Sequence, residues 1–403
     1  MVRRNLVEIS GSWSSSRARV VPKHRVSGRL GETEQSIVHI APFLQAVVVN
    51  RASDLHIKAG SAPKIRISGS LVPLQVEPLT AEQAWAAIRE TMPPDVEEQF
   101  VATNEADYAL HVGGIGRFRV NAFRARGSAG CVMRLVGDEP TSLATLGLPE
   151  VVHRLALEPR GLVLVTGPTG SGKTTTLAAM VDAINEARAV HVLTLEDPIE
   201  VIHQDKVASV NQRELGTDTR DWATALRAAM RQDPDVILIG EMRDAETVKA
   251  ALSAAETGHF VMSTLHTTDA AETVNRIIDF FPPHEQKQVR LGLAASLRGI
   301  ICQRLMPRAE GTGRACVMEI AVNSPRLAEA IADPDKSDTI EDIVAAGAYS
   351  GMQTFDQHLL RLVLDGTVAI GAAKLVSSNT HDFGVMLKRA GIDPALVDGE
   401  ATA

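Results

Sequence analysis

The sequence predicts an α/β protein: a small α+β domain, then a doubly wound domain with a helical C-terminal part. Three observations predict it. The hydrophobic pattern switches near residue 150 from alternating to uninterrupted, a phosphate-cradle motif sits between a strand-like run and a helix-like run, and 403 residues suffice for two or three buried cores. The composition, 45% hydrophobic and 22% charged, is that of a globular chain, and with 3% aromatics the core must be aliphatic. No run of eighteen apolar residues occurs, and the first residues, MVRRNLVEISGSWSSS, lack the apolar stretch of a signal peptide, so a cytoplasmic location is expected.

Residues 1–36 are rich in serine and glycine without apolar periodicity, and across 1–40 seven Lys/Arg face three acidic residues, which reads as a flexible tail. From 37 to 138, KIRISGSLVPL, ADYALHV and GRFRVNAFRARGSAGCVMRLV are apolar at every second position, as in half-buried strands, and AEQAWAAIRETM reads as a helix beside them. The stretch 139–150, within the turn-rich GDEPTSLATLGLPE, is expected to be a linker. Between 151 and 373 the runs GLVLVTG, HVLTLED, DVILIGE and HFVMSTLH lack polar alternation, as in parallel strands covered on both faces. Helical stretches lie between them, from Lys173, from Trp222 to Arg231 and from Asp244 to Glu256. Beyond about residue 284 the reading is mostly helical, on the spacing of QVRLGLAASLRGIICQRL and MQTFDQHLLRLVLDG, and 374–403 reads as a C-terminal tail.

The chemistry centres on Gly167, Pro168, Thr169, Gly170, Ser171, Gly172, Lys173 and Thr174, a GxxxxGK[ST] loop directly after LVLVT, with Thr175 following. Glycines let the backbone wrap an anion, the helix N-terminus adds positive potential, and Lys173 supplies a mobile cation. Thr174 is expected to offer its hydroxyl to Mg²⁺. A nucleotide bound this way needs groups that position water and offset γ-phosphate charge. Carboxylates at neighbouring strand ends suit that work: Glu241 as general base, touching the metal only through water, and Glu196 holding metal-bound or attacking water. Gly240 stands where an aspartate usually holds the metal, so direct ligation by protein is expected to be thin. His266, ending HFVMSTLH, can hydrogen-bond phosphate or Glu241. Cys131, Cys302 and Cys316 are scattered, which excludes a four-cysteine zinc site and a disulfide framework. A net charge of −8 without a basic stripe interleaved with aromatics argues against a nucleic-acid partner.

These segments also resemble a known family. GPTGSGKTTT, TLEDPIE, VNQRELGTDT, ALRAAMRQDPDVILIGEMRDAET, AAETGHFVMSTLHTTDA and GMQTFDQHL are similar to the Walker A, Asp box, Walker B and His box of bacterial secretion ATPases. The likeness is strongest to those that retract type IV pili, and with SDLHIKAGSAPKIRISG it covers about residues 40–370. The resemblance implies a PAS-like N-terminal domain, a RecA-like ATPase domain and a homohexameric ring clamping ATP between them. It also implies an inner-membrane pilus platform protein as partner, with a paralogous pilus ATPase as a further one, and a place at the inner face of the cytoplasmic membrane. It gives Glu241 general-base work and the Asp and His boxes nucleotide sensing. Family members send arginines from the first domain to the phosphates, which nominates Arg119 and Arg134; the alternative is two surface residues on half-exposed strands. One departure matters for direction: SPRLAEAIADPDK stands where retraction ATPases carry a segment like AIRNLIRE, with Ala328 and Ala332 at arginine positions. Pilus assembly, secretion or accessory work, or weak hydrolysis serving regulation, are the alternatives to retraction.

Overall fold

The computed structural model describes residues 40–67, 69–137 and 140–392. The expected tail at 1–36 lies outside the described residues. The chain divides into two compact units, Met1–Asp138 and Glu139–Ala403.

The first unit is an antiparallel sheet of six strands: β1 (Asp54–Lys58), β2 (Lys64–Ile67), β3 (Ser70–Pro73), β4 (Glu105–Val112), β5 (Gly116–Ala125) and β6 (Ser128–Leu135), in the order β3-β2-β1-β6-β5-β4. Every second residue faces inward. Leu55, Ile57, Ile65, Phe118, Val120 and Met133 are buried together with Phe43, Leu44 and Val47 of α1 (Ala41–Val49), Ile88 of α2 (Ala81–Arg89) and Phe100 of α3 (Pro94–Thr103). Helix α2 starts at a capping box in which the Thr80 hydroxyl accepts from the Gln83 N–H while the Gln83 side chain accepts from the Thr80 N–H.

The second unit holds a seven-stranded sheet: β7 (Gly161–Thr166), β8 (His191–Glu196), β9 (Ser209–Glu214), β10 (Val236–Ile239), β11 (Phe260–Leu265), β12 (Leu297–Pro307) and β13 (Arg314–Val322). Their order is β13-β12-β7-β11-β10-β8-β9, parallel except for the antiparallel edge pair β12–β13. The uninterrupted runs are explained by cover on both faces. Leu162 and Leu164 of β7 enter one core, while Val163 and Val165 enter another, shared with α5 (Glu150–Ala156) and α6 (Lys173–Ala187). Helices α7 (Trp222–Ala229), α8 (Ala245–Glu256), α9 (Ala270–Asp279) and α10 (Pro283–Ser296) line the first of these cores.

Three sequence expectations are corrected. The region beyond 284 begins in helix, but α10 ends at Ser296, and LRGIICQRLMP, expected to continue that helix, becomes β12, paired parallel to β7. The helix-like spacing belongs to its first half, and the β-branched pair Ile300–Ile301 enters the sheet. The stretch 139–150 is more than a linker, because it contains the short helix α4 (Leu143–Leu146), whose Leu143 is buried. The stretch 374–403 does not run as a tail through its described part. After α11 (Pro325–Ala332), α12 (Ile340–Ala346), α13 (Phe355–Leu364) and α14 (Ile370–Val376), helix α15 (Thr380–Arg389) inserts Phe383 and Leu387, both fully buried, into the core. This i, i+4 pair is hidden in sequence by Val385 and Met386 between its members, which make FGVML an apolar run without a visible face. Among the described residues, no helix is long and apolar enough to cross a membrane.

Candidate active site

The order β7-β11-β10-β8 sets the carboxyl ends of four parallel strands side by side, the edge where open α/β sheets take their ligands. Each end delivers one element. Strand β7 leads into the 167–174 loop, β11 into His266, β10 into Gly240 and Glu241, and β8 ends at Glu196.

The loop's shape depends on glycine at two places. Gly167 has φ +142°, and a Cβ there would lie 2.3 Å from the Gln303 carbonyl oxygen; Gly172, at φ +90°, forms the N-cap of α6. Pro168, Thr169 and Gly170 are exposed, whereas Ser171 is buried. The Lys173 ammonium donates to the carbonyls of Gly167 at 2.8 Å and Pro168 at 3.1 Å. Burial holds its pKa below the usual lysine range, opposed by the negative charge of Glu200. Thr174 is half-buried and Thr175 exposed in the first turn of α6.

Glu241 is the hub of the strand-end network. Its Oε2 accepts from His266 Nε2 at 3.2 Å, and its Oε1 is ion-paired with Arg243 Nε. Arg243 in turn lies 3.9 Å from Asp197 Oδ2, so Asp197, Arg243, Glu241 and His266 tie together the ends of β8, β10 and β11. The Glu241 side chain is 18% exposed. Partial burial, then the positive charges of Lys173 and Arg243, hold the His266 pKa below 6.5. The imidazole is therefore neutral at pH 7, with its Nε2 proton directed to an acceptor-only carboxylate. The Thr264 hydroxyl donates to the Gly240 carbonyl at 2.8 Å, bracing the turn that carries Glu241.

Glu196 is held differently. It is buried, and its Oε1 accepts from the Thr194 hydroxyl at 2.7 Å and Gln212 Nε2 at 3.1 Å. Burial raises its pKa despite these bonds. Gly240 has a packing reason: a Cβ there would meet the Leu195 carbonyl at 3.2 Å, Glu196 Cα at 3.4 Å and the Trp222 ring at 3.5 Å.

Arg119 and Arg134 are direct cross-strand partners on the exposed face of the first unit's sheet. The same row continues through Asp54 to Arg66. Arg134 Nε donates to Asp54 Oδ1 at 2.9 Å, Arg66 Nε lies 3.5 Å from Asp54 Oδ2, and Ser53 Oγ donates to Asp54 Oδ2 at 2.7 Å. Burial would raise the Asp54 pKa, but Ser53 and the two guanidiniums outweigh it and hold the carboxyl below its ordinary value. Arg134 is thus braced, whereas Arg119 has no ion pair among the described residues.

Sequence reasoning missed the Arg243–Asp197 link and Gln303, which packs against the loop. A lone amide in the apolar run IICQRL was the available signal for Gln303.

The family of type II/IV secretion system proteins matches residues 31–371. The chain belongs to this family. It is similar to the type IV pilus retraction ATPase PilT of Pseudomonas aeruginosa, 45% identical over 318 residues that cover 79% of this chain and 92% of PilT. It is also similar to the P. aeruginosa type IV pilus ATPase PilU, 38% identical over 346 residues, with 86% and 90% covered. Among solved structures, the pilus retraction motor PilT with bound ADP aligns with a TM-score of 0.79 at 40% identity, covering 86% of this chain and 98% of that one. The Legionella pneumophila ATPase DotB aligns with a TM-score of 0.71 at 27% identity, with 85% and 97% covered. The α/β fold and the nucleotide-binding character of the family agree with the loop and strand-end geometry.

Proposed function

We propose that the chain is an ATP-hydrolysing motor that powers type IV pilus retraction. The single observation that carries this reading is the Asp197–Arg243–Glu241–His266 network beside the Lys173 loop, in a chain 45% identical to PilT.

In this reading the loop's N–H groups and Lys173 bind the β- and γ-phosphates. Thr174 would hold Mg²⁺ through its hydroxyl and Glu241 would do so through a water, and among the described residues no cluster of three or more acidic, His or Cys ligands offers another cation site. When bound, the ion neutralises charge on the phosphate oxygens. Glu241, oriented by His266 and Arg243, takes a proton from the attacking water as its oxygen bonds to the γ-phosphorus and the bond to the β–γ bridging oxygen breaks. General-base positioning of this kind is worth roughly 10²–10⁴ in rate. Arg119, with Arg134 braced by Asp54, supplies charge stabilisation of the transferred phosphoryl group. Glu196 serves as a buried sensor relaying nucleotide state to β9 through Gln212.

The working form is a homohexamer at the inner face of the cytoplasmic membrane, acting on a pilus platform protein and, in some settings, beside a paralogous pilus ATPase. Phosphate release by the purified chain, abolished in Lys173→Ala, tests the enzymatic reading; release at background level would leave only a nucleotide-dependent regulator. Pilus imaging after gene deletion tests direction. Excess unretracted pili support retraction, and loss of all pili would assign assembly instead. The alanines of α11 at positions 328 and 332 make this second experiment necessary.

A further inference from the structure

Gln303 sits on β12, outside every nucleotide-binding motif, yet two of its atoms bear on the phosphate loop. Parallel pairing of Cys302 with Thr166 sets the next residue, Gln303, beside Gly167. Its backbone oxygen occupies the space a side chain at 167 would need. Its Nε2 lies 3.2 Å from where a Cβ of Gly172 would stand, and the same Nε2 donates to the Ser171 carbonyl at 2.8 Å. Gln303 is 1% exposed. Its Oε1 has no partner among the described residues, so the bond to Ser171 is the polar contact that fixes the amide. A carbonyl only accepts, so the amide nitrogen must face it. The neighbouring Arg304 anchors this strand from its other side, with its guanidinium 4.1 Å from the Phe355 ring centroid and donating to the Val376 carbonyl at 3.2 Å.

We infer that Gln303 is a positioning residue for phosphate binding: its amide holds the Ser171–Gly172 peptide so that the loop's N–H groups converge on the anion. The carbonyl it engages belongs to the peptide whose N–H, on Gly172, lies in the anion cradle. Turning that carbonyl away from β12 would turn the N–H away from the phosphates. The inference rests on the nucleotide-binding reading above and adds a residue that binds no ligand itself.

The test is equilibrium binding of ADP to the full chain, with thermal melting without nucleotide as the folding control. Gln303→Met keeps the volume and removes the donor. It should weaken ADP binding about tenfold, the equivalent of about 1.4 kcal/mol, while kcat at saturating ATP stays within about threefold. Gln303→Glu adds a signature that loss of packing cannot imitate. Protonated, its carboxyl donates to the Ser171 carbonyl; ionised, it repels it. Its ADP affinity should therefore approach wild type near pH 6 and fall steeply by pH 8.5, with wild type as the reference at each pH. Unchanged affinity in a folded Gln303→Met, or a pH profile of Gln303→Glu parallel to wild type, would overturn the inference. So would a parallel collapse of melting temperature, kcat and affinity in Gln303→Met, which marks a residue needed only for folding. A wild-type chain that binds no ADP would overturn the nucleotide reading itself, and this inference with it.

Discussion

Replacing Glu319 with glutamine should change how the second unit's stability depends on pH. Glu319 lies on β13 opposite Cys302 and is buried, and its Oε1 accepts the Ala270 N–H at 2.9 Å in the first turn of α9, four residues beyond His266. Burial, reinforced by Asp269 and Glu341 and opposed by that N–H and by Arg304, pushes its pKa from 4.5 to about 7. The folded state then keeps a proton that the unfolded chain releases above pH 4.5. Its contribution is complete below pH 4.5 and is lost as pH rises through about 7. At 1.36 kcal/mol for each tenfold change in proton affinity, the effect amounts to about 3 kcal/mol. Glu319→Gln keeps an oxygen for the Ala270 N–H and removes the titration. Denaturant unfolding from pH 5 to 8.5 should show the variant gaining on wild type by about that amount across the range. Parallel stability curves would mean that Glu319 does not exchange a proton on unfolding in this range.

Three further outcomes follow from the packing and the strand-end network. Gly240→Ala should lower stability by about 1–3 kcal/mol, because its Cβ would press on the Leu195 carbonyl; an unchanged melting temperature would show that β8 and β10 can separate. Phe383→Ala should cost about 3–5 kcal/mol in denaturant unfolding, as for a fully buried ring, whereas a neutral result would mean that α15 does not pack. His266→Ala should cut kcat at least about tenfold with ADP affinity retained. In wild type, the depressed His266 pKa should leave no inflection from this residue between pH 6.5 and 8 in a kcat profile.

The doubly wound sheet was legible because strands buried on both faces leave runs without polar alternation, and GLVLVT, VILI and FVMSTL are such runs. Strand β12 was not, since spacing compatible with a helix carries on from α10 past Leu297 to Ile300 and Ile301, and only the partner strand β7 decides where helix ends and strand begins. Helix α15 was missed for a related reason: its two buried residues, Phe383 and Leu387, are the ends of the run FGVML, in which the exposed Val385 blurs the apolar period. The positions of Glu241 and His266 at strand ends could be read from the chain, because each terminates a run. The ties between Arg243 and Asp197 and between Gln303 and Ser171 could not, because both depend on which strands become neighbours, and 132 residues separate Gln303 from Ser171. The likeness to pilus retraction ATPases was carried by four ordered boxes, which are far more specific than the phosphate loop alone.

Hydrolysis by this chain depends above all on Glu241 as the group that takes the proton of the attacking water. In Glu241→Gln, ATP should bind with wild-type affinity while steady-state phosphate release falls at least about a hundredfold. Phosphate release at the wild-type rate would remove Glu241 from the general-base role.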